Sequence, residues 1–338
     1  MNPLVTVYIP VYNGEKYIAE AINSVLGQSY TRFELIVVND GSTDNTLQVL
    51  SGFTDERIRI IDLKENRGNC AASNVALKQA KGKYIARMDA DDVSLPQRIE
   101  KQVAYMESHP DVLLSGAFLQ LMNEEGQLSE NVWKYYVQDN DIKIDFLFRS
   151  GVIQGVSILR RNEVVCDFEL FYDETNKASY AEDFDFFYRI SKIGKLGNIS
   201  EILLHYRRHE ENITKKLKTR AAELKAGNFK KVLLDFSFNE GEIDMDSHLF
   251  LAGLNTSRLN REKLKAVKKW YDILTGKLKE NGTLTDKDIE RIILPYWQRL
   301  FYRLCNSSFI LPFVHMQLDK TFSFSKTVYI IKKRLVNR

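Results

Sequence analysis

Between residues 5 and 88 the chain alternates short β-branched runs with stretches of helical spacing. Val5-Thr6-Val7-Tyr8-Ile9 reads as a strand ended by Pro10. From Glu15 onward, Tyr17, Ile18, Ala21, Ile22, Val25 and Leu26 fall on one helical face. Phe33 to Val38 is a nearly unbroken apolar run, the pattern of a strand buried on both faces of a parallel sheet. Ser42 or Thr43 is placed to cap the next helix, with Asp44 in its first turn. Ile58 to Ile61 predicts a third strand, Asn69 to Ala80 a helix closed by Gly82, and Tyr84 to Met88 a fourth strand. The repetition implies an α/β fold with right-handed crossovers. Ligands of such sheets bind at the carboxyl ends of the strands. The loops Pro10–Gly14, Asn39–Thr43 and Asp89–Asp92 are therefore expected to meet in one rim.

Length and composition place this pattern in a larger frame. The 338 residues suffice for two domains at about 150 residues each. With 44% hydrophobic and 28% charged residues, the chain is globular rather than disordered or collagenous. Cys70, Cys166 and Cys305 are odd in number and far apart, which excludes a disulfide framework and a CxxC site and suits a reducing cytoplasm. The start of the chain lacks a basic region before its apolar run, so no signal peptide is expected. Leu304 to Leu318, the longest uncharged stretch, is too short and polar to span a bilayer. These features point to a cytoplasmic protein, at most peripheral on the inner membrane face.

The net charge of +3 hides an asymmetry. Residues 1–210 hold 23 Lys and Arg against 31 Asp and Glu, whereas residues 211–338 hold 25 against 14. A boundary near residue 210 follows, before Lys215-Lys216-Leu217-Lys218. Residues 211–338 read as a helical, basic domain, with helices over Leu264 to Leu278 and Asp286 to Cys305. The segment Phe322 to Arg338 combines an apolar set with five basic residues. It suits an anionic membrane surface, the domain's own core or another subunit.

The rim carries unusual chemistry. No GxGxxG, GxxxxGK(S/T), GxSxG or HExxH occurs, which disfavours dinucleotide oxidoreductases, P-loop NTPases and α/β-hydrolases. Acidic residues stand there instead: Asp40, Asp89, Asp91 and Asp92. Three carboxylates in four residues repel one another unless a cation is present, and Mg²⁺ or Mn²⁺ takes oxygen ligands and shares its shell with substrate phosphates. Asp92 is alternatively a cap for the helix near Pro96. Asp40 can accept N–H groups from a base edge or serve an ordinary Asp-Gly-Ser turn. Glu182, Asp183 and Asp185 head an apolar helix, where they either complement its N-terminus or include a general base. His209 is a further metal ligand or a structural histidine, and Arg207 or Arg208 can meet a phosphate.

These pieces, in order, resemble inverting glycosyltransferase family 2. They are Val7-Tyr8-Ile9-Pro10-Val11-Tyr12-Asn13-Gly14, then Val37 to Thr46, then Asn66-Arg67-Gly68, then Asp89-Ala90-Asp91-Asp92, and finally Glu182-Asp183. The resemblance covers roughly residues 4–210. It implies a GT-A fold, mostly parallel, with a nucleotide-binding half over 1–110 and an acceptor-binding half over 111–210, followed by the C-terminal helical domain. It implies that Pro10, Val11, Tyr12 and Asn13 line the nucleotide pocket, that Asp40 meets the pyrimidine ring and that Arg67 lies near the nucleotide. Asp89 would approach the ribose, with Ala90 beside it. Asp91 would bind Mn²⁺ or Mg²⁺ on the donor diphosphate, with His209 as a further ligand, and Asp183 would be the catalytic base. The partners implied are a nucleotide-sugar donor, UDP-linked, and a glycan or lipid-linked acceptor for surface polysaccharide, with no nucleic acid. Two other functions compete. A sugar nucleotidyltransferase would want a basic Gly-rich loop where Pro10 to Gly14 stands. A non-catalytic glycan- or membrane-binding protein of the same fold would have no need for both Asp91 and Asp183.

Overall fold

A computed structural model describes residues 2–152, 154–175, 181–210, 221–255, 257, 259–307 and 311–318. The chain divides into two compact units, residues 1–146 with 150–218, and residues 147–149 with 219–338.

The first unit is built on a nine-stranded mixed sheet. Its strands are β1 (Val5–Val11), β2 (Phe33–Asp40), β3 (Ile58–Leu63), β4 (Tyr84–Arg87), β5 (Val93–Ser94), β6 (Val112–Met122), β7 (Leu128–Trp133), β8 (Ile158–Arg160) and β9 (Lys195–Arg207). The order is β3-β2-β1-β4-β8-β6-β9-β5, with β7 paired to β6. The first four strands run parallel, as the alternating pattern requires. Beyond them β6 and β9 also pair in parallel, while β8 runs antiparallel to β4 and β6, and β5 antiparallel to β9, so the sheet is mostly parallel with short antiparallel strands mixed in. Every residue of β1 is buried, as is β2 apart from Glu34, which explains their unbroken apolar runs. Helices α1 (Ile18–Leu26), α2 (Thr46–Ser51), α3 (Asn69–Gln79), α4 (Arg98–Ser108), α5 (Asp139–Asp145) and α6 (Glu182–Ser191) connect the strands. Ile18, Ile22 and Val25 of α1 and Ile99, Val103 and Met106 of α4 share one core with Val5, Val7, Ile9, Leu35 and Val37.

Several local expectations need correction. Pro10 does not end β1; pairing with β4 stops at Tyr8, so Pro10 lies where one side of the strand has no ladder to lose. Ser42 and Thr43 do not cap α2, whose N-cap is Asn45; both are drawn away to Asn13. Gly82 does not close α3, which ends at Gln79 with Ala80 extended. Gly82 instead permits a close approach, since a Cβ there would lie 2.4 Å from the Thr6 nitrogen.

The second unit is helical, with helices over Ala221–Asp235, Met245–Ala252, Arg261–Glu280, Leu294–Ser307 and Leu311–Leu318. Leu264, Val267, Trp270, Leu274 and Leu278 are buried at helical spacing. The basic segment Phe322 to Arg338 lies outside the described residues. Among the described residues, no helix is long and apolar enough to cross a membrane.

A buried histidine holds this unit together. The His248 Nε2–H donates to the Leu147 carbonyl, and Nδ1 accepts from Trp270 Nε1 at 3.2 Å. Burial lowers its pKa from 6.5 to about 4. In the unfolded chain the imidazole takes its proton at the ordinary value, so between these limits the unfolded state binds more protons and stability rises with pH. Taking the unit from pH 7 to pH 5 should therefore cost about 2 kcal/mol at this group. Urea unfolding at the two pH values measures the loss, and His248→Leu should remove that increment of the pH dependence.

Candidate active site

The rim is assembled by loops that hold one another. Asn13 takes a left-handed backbone conformation with φ of 52°. Its N–H donates to Ser42 Oγ at 2.9 Å, and its Oδ1 accepts from the Thr43 N–H at 2.8 Å. The Gly14 N–H donates to Thr46 Oγ1 at 2.8 Å, and Glu15 Oε2 accepts from Asn45. The loop after β1 is thus clasped to the loop after β2, leaving Tyr12 47% exposed on its edge. A Cβ on Gly14 would lie 3.9 Å from that of Ala90, which brings the acidic loop after β4 alongside. The three loops expected at one rim are together.

Asp40, the last residue of β2, is buried, with Oδ1 accepting from the Arg67 N–H at 2.9 Å and Oδ2 from the Gly68 N–H at 2.8 Å. The carboxylate therefore fixes the Arg67 loop, and each oxygen retains a lone pair for a further donor. The Arg67 guanidinium reaches Glu174 at 3.4 Å.

In the acidic loop the three carboxylates have separate attachments. Asp89 Oδ1 accepts from Arg87 Nε at 3.0 Å. Asp91 Oδ2 lies 2.9 Å from His209 Nε2, so the two expected metal ligands, 118 residues apart, are in contact. Asp92 is buried and its Oδ1 accepts from the Arg207 N–H at 2.9 Å, whereas α4 starts at Arg98 with Gln97 as N-cap. Asp92 thus ties the loop to β9 and caps no helix. Its Oδ2 is buried with no hydrogen-bond partner among the described residues. Burial, with Asp91 and Asp89 nearby, pushes its pKa well above the usual carboxylate range.

Arg207 is not available to a phosphate. It is 2% exposed, with Nε donating to the Asp91 carbonyl at 2.9 Å, NH1 to the Glu124 carbonyl at 3.0 Å and NH2 to Glu20. Its task is to hold the backbone of the acidic loop, while Arg208 beside it is exposed.

Glu182 and Asp183 open α6, whose first turn also holds Asp185. Asp185 is paired with Arg189 at 2.9 Å. Asp183 Oδ1 accepts from the Phe184 N–H at 2.7 Å. Glu182 Oε1 accepts from Asn69 Nδ2 at 2.9 Å, and burial together with the Asp183 charge raises its pKa to about 7.

Sequence reasoning missed what joins these parts. Arg87 is 3% exposed and its NH2 donates to Asn69 Oδ1 at 3.1 Å. A continuous path runs Asp89–Arg87–Asn69–Glu182, from the rim to the head of α6. The signal was present: a lone arginine in the buried strand Tyr84-Ile85-Ala86-Arg87 demands partners. Gly155 was also overlooked. A Cβ there would meet Asp89 Oδ2 at 2.7 Å and Asp92 Oδ2 at 3.1 Å, so only glycine leaves room for both carboxylates.

Among the described residues, no group of three or more His, Cys, Asp or Glu side chains forms a metal cage. The Asp91–His209 pair offers one carboxylate and one imidazole, donor types that would fit Mg²⁺ or Mn²⁺ if waters and substrate phosphates completed the shell.

The chain is similar to known proteins. A family profile described as Glycosyl transferase family 2 matches residues 6–164. The chain is 38% identical over 216 residues to an uncharacterized glycosyltransferase of Haemophilus influenzae, covering 61% of this chain and 66% of that one. It is 33% identical over 211 residues to an uncharacterized glycosyltransferase of Methanocaldococcus jannaschii, covering 61% and 71%. It is 43% identical over 107 residues to the Bacillus subtilis protein TuaG, named for teichuronic acid biosynthesis, covering 31% and 42%. The chain spans 66% or less of the length of three of its curated relatives. Among solved structures, S. aureus TarS residues 1–349 with UDP matches with a TM-score of 0.51 at 18% identity, over 99% of this chain and 92% of that one. The mannosyltransferase PcManGT from Pyrobaculum calidifontis, solved with GDP-Man and Mn²⁺, matches with a TM-score of 0.56 at 16% identity, over 100% and 87%. These structural likenesses show the fold, which is of the GT-A type.

Proposed function

The chain belongs to glycosyltransferase family 2, and on that premise we propose that it moves a sugar from a nucleoside-diphosphate donor, UDP-linked, onto a hydroxyl of a glycan or lipid-linked saccharide in surface-polysaccharide synthesis. The observation that carries the reading is the contact of Asp91 with His209 beside a rim joined by hydrogen bonds to Glu182, the neighbour of Asp183. A single displacement with inversion needs a carboxylate to take the acceptor's proton on one side and support for the departing diphosphate on the other.

Tyr12 and Asn13 border the space for the nucleotide with Pro10 and Val11, while Asp40 offers its remaining lone pairs to a ring N–H. Arg67 and Asp89 flank the ribose and diphosphate. Asp91 and His209 would hold Mn²⁺ or Mg²⁺, which when bound supplies a Lewis acid for the diphosphate. Asp183 accepts the acceptor's proton. The UDP in the TarS structure and the name of TuaG support a uridine donor and a surface polymer.

Release of nucleoside diphosphate from a panel of UDP- and GDP-sugars with Mn²⁺ or Mg²⁺ tests the reading. Turnover of one donor class supports it. Binding without turnover of any donor would favour a non-catalytic glycan-binding protein.

The basic segment Phe322 to Arg338 is proposed to bring the enzyme to an anionic membrane surface facing the cytoplasm. The chain should sediment with anionic liposomes at low salt and be released at high salt. Equal recovery in the supernatant at both would contradict membrane contact.

A further inference from the structure

The carboxylate pair at the head of α6 is attached to the donor rim through side chains to which the proposed chemistry gives no task. Asn69, the first residue of α3, donates from Nδ2 to Glu182 Oε1 at 2.9 Å and accepts from Arg87 NH2 at 3.1 Å. Arg87 also donates to Ser73 Oγ at 2.8 Å and to Asp89 Oδ1 at 3.0 Å. Its guanidinium lies over the rings of Tyr8 and Tyr172, at 5.7 and 5.8 Å, whose hydroxyls meet at 3.2 Å. The orientation of Asn69 is thus fixed from both ends. Its amide must present N–H to Glu182 because its oxygen already serves Arg87.

We propose that Asn69 and Arg87 are positioning residues that hold Glu182 in register with the donor rim, and that the charge on Glu182 sets how strongly Asp183 draws a proton from the acceptor. The inference rests on Asp183 being the base. Two adjacent carboxylates share one electrostatic environment, so an ionised Glu182 makes protonation of Asp183 more favourable and a neutral Glu182 withdraws that push. The groups around Glu182 are mixed. Asp183 on its own helix disfavours its charge, while Arg87 from β4 and Asn69 from α3 favour it. Asp185, also on α6, is occupied with Arg189. Burial, the Glu182 charge and, to a lesser extent, Asp173 and Glu174 from the segment before α6 push the Cys70 thiol of α3 up to about 12, so it stays neutral. A hydrogen bond from its own backbone N–H, then Arg87 and Asn69, offset burial and the Asp183 charge so that Glu182 ionises near pH 7. Arg87 also serves Asp89, so the donor rim and the base pair draw on one cation.

Carboxyl ¹³C NMR of the full chain, labelled on Asp and Glu, tests this without a donor or acceptor. A Glu carboxyl should titrate near pH 7, vanish in Glu182→Gln and move up by about one pH unit in Asn69→Ala, the size of a lost hydrogen bond to a charge. Glu182→Gln keeps an oxygen for Asn69 and so keeps the fold. By the same coupling, the Glu182 carboxyl should titrate at lower pH in Asp183→Asn, which removes the neighbouring charge, than in the wild type. A Glu182 titration identical in the wild type and Asp183→Asn overturns the coupling. A Glu182 titration unmoved by Asn69→Ala overturns the positioning role. The base assignment is read separately, from turnover by Asp183→Asn in the donor panel. The inference can therefore fail while that reading stands, whereas wild-type turnover by Asp183→Asn would defeat both.

Discussion

Replacing Asp183 by Asn should lower the rate of sugar transfer by about 10²- to 10⁴-fold, the usual contribution of a positioned general base. The amide keeps the shape and can still accept from the Phe184 N–H, as the carboxylate does at 2.7 Å, but it cannot take a proton from an alcohol. Nucleotide binding should be unchanged, because Asp183 belongs to α6 and the donor loops follow β1, β2 and β4. The combination of lost kcat with intact binding of the nucleoside diphosphate, measured by turnover and calorimetry on one preparation, separates a base from a binding residue. Transfer at the wild-type rate would place the base elsewhere.

The second large effect is expected at Asp91. Its carboxylate touches His209 at 2.9 Å, whereas its carbonyl, not its side chain, receives Arg207 Nε. Asp91→Ala therefore removes a proposed metal ligand and leaves the clamp on the loop in place. Donor binding in the presence of Mn²⁺ should weaken by at least about tenfold, the scale seen when support for a metal site is lost. Without a divalent cation, variant and wild type should bind the donor alike. Equal affinity in the presence of Mn²⁺ would mean that Asp91 and His209 pair for structural reasons alone.

How much of this could be seen in the chain itself depends on how local each feature is. β1 and β2 were legible because strands buried on both faces need unbroken apolar runs, and little else in a globular chain produces Phe33 to Val38. The meeting of the three rim loops followed from strand direction. His209 beside Asp91 followed from the ordered family resemblance, since nothing local in either segment names the other. What stayed hidden depends on tertiary partners. Ser42 and Thr43 have the chemistry of helix caps, but Asn13, some 30 residues earlier, competes for them and wins. Arg207 and Arg208 both read as phosphate contacts because their type suits that role; only the packing shows Arg207 buried over Tyr17 with its donors occupied. Asn69 gave no signal at all, because its meaning lies in two residues from different elements.

The central claim is that the ion-holding pair and the base pair face one cleft. Mn²⁺ is paramagnetic, so titrating it with UDP into the chain carrying ¹³C-labelled carboxyl groups reports directly on what lies nearby. The Asp91, Glu182 and Asp183 signals should broaden together, while that of Glu107, paired with Lys83 at the amino end of β4, stays sharp, and Asp91→Ala should abolish the effect at Glu182 and Asp183. Broadening of Asp91 with sharp, unchanged Glu182 and Asp183 signals would put the two clusters on separate surfaces and contradict the account.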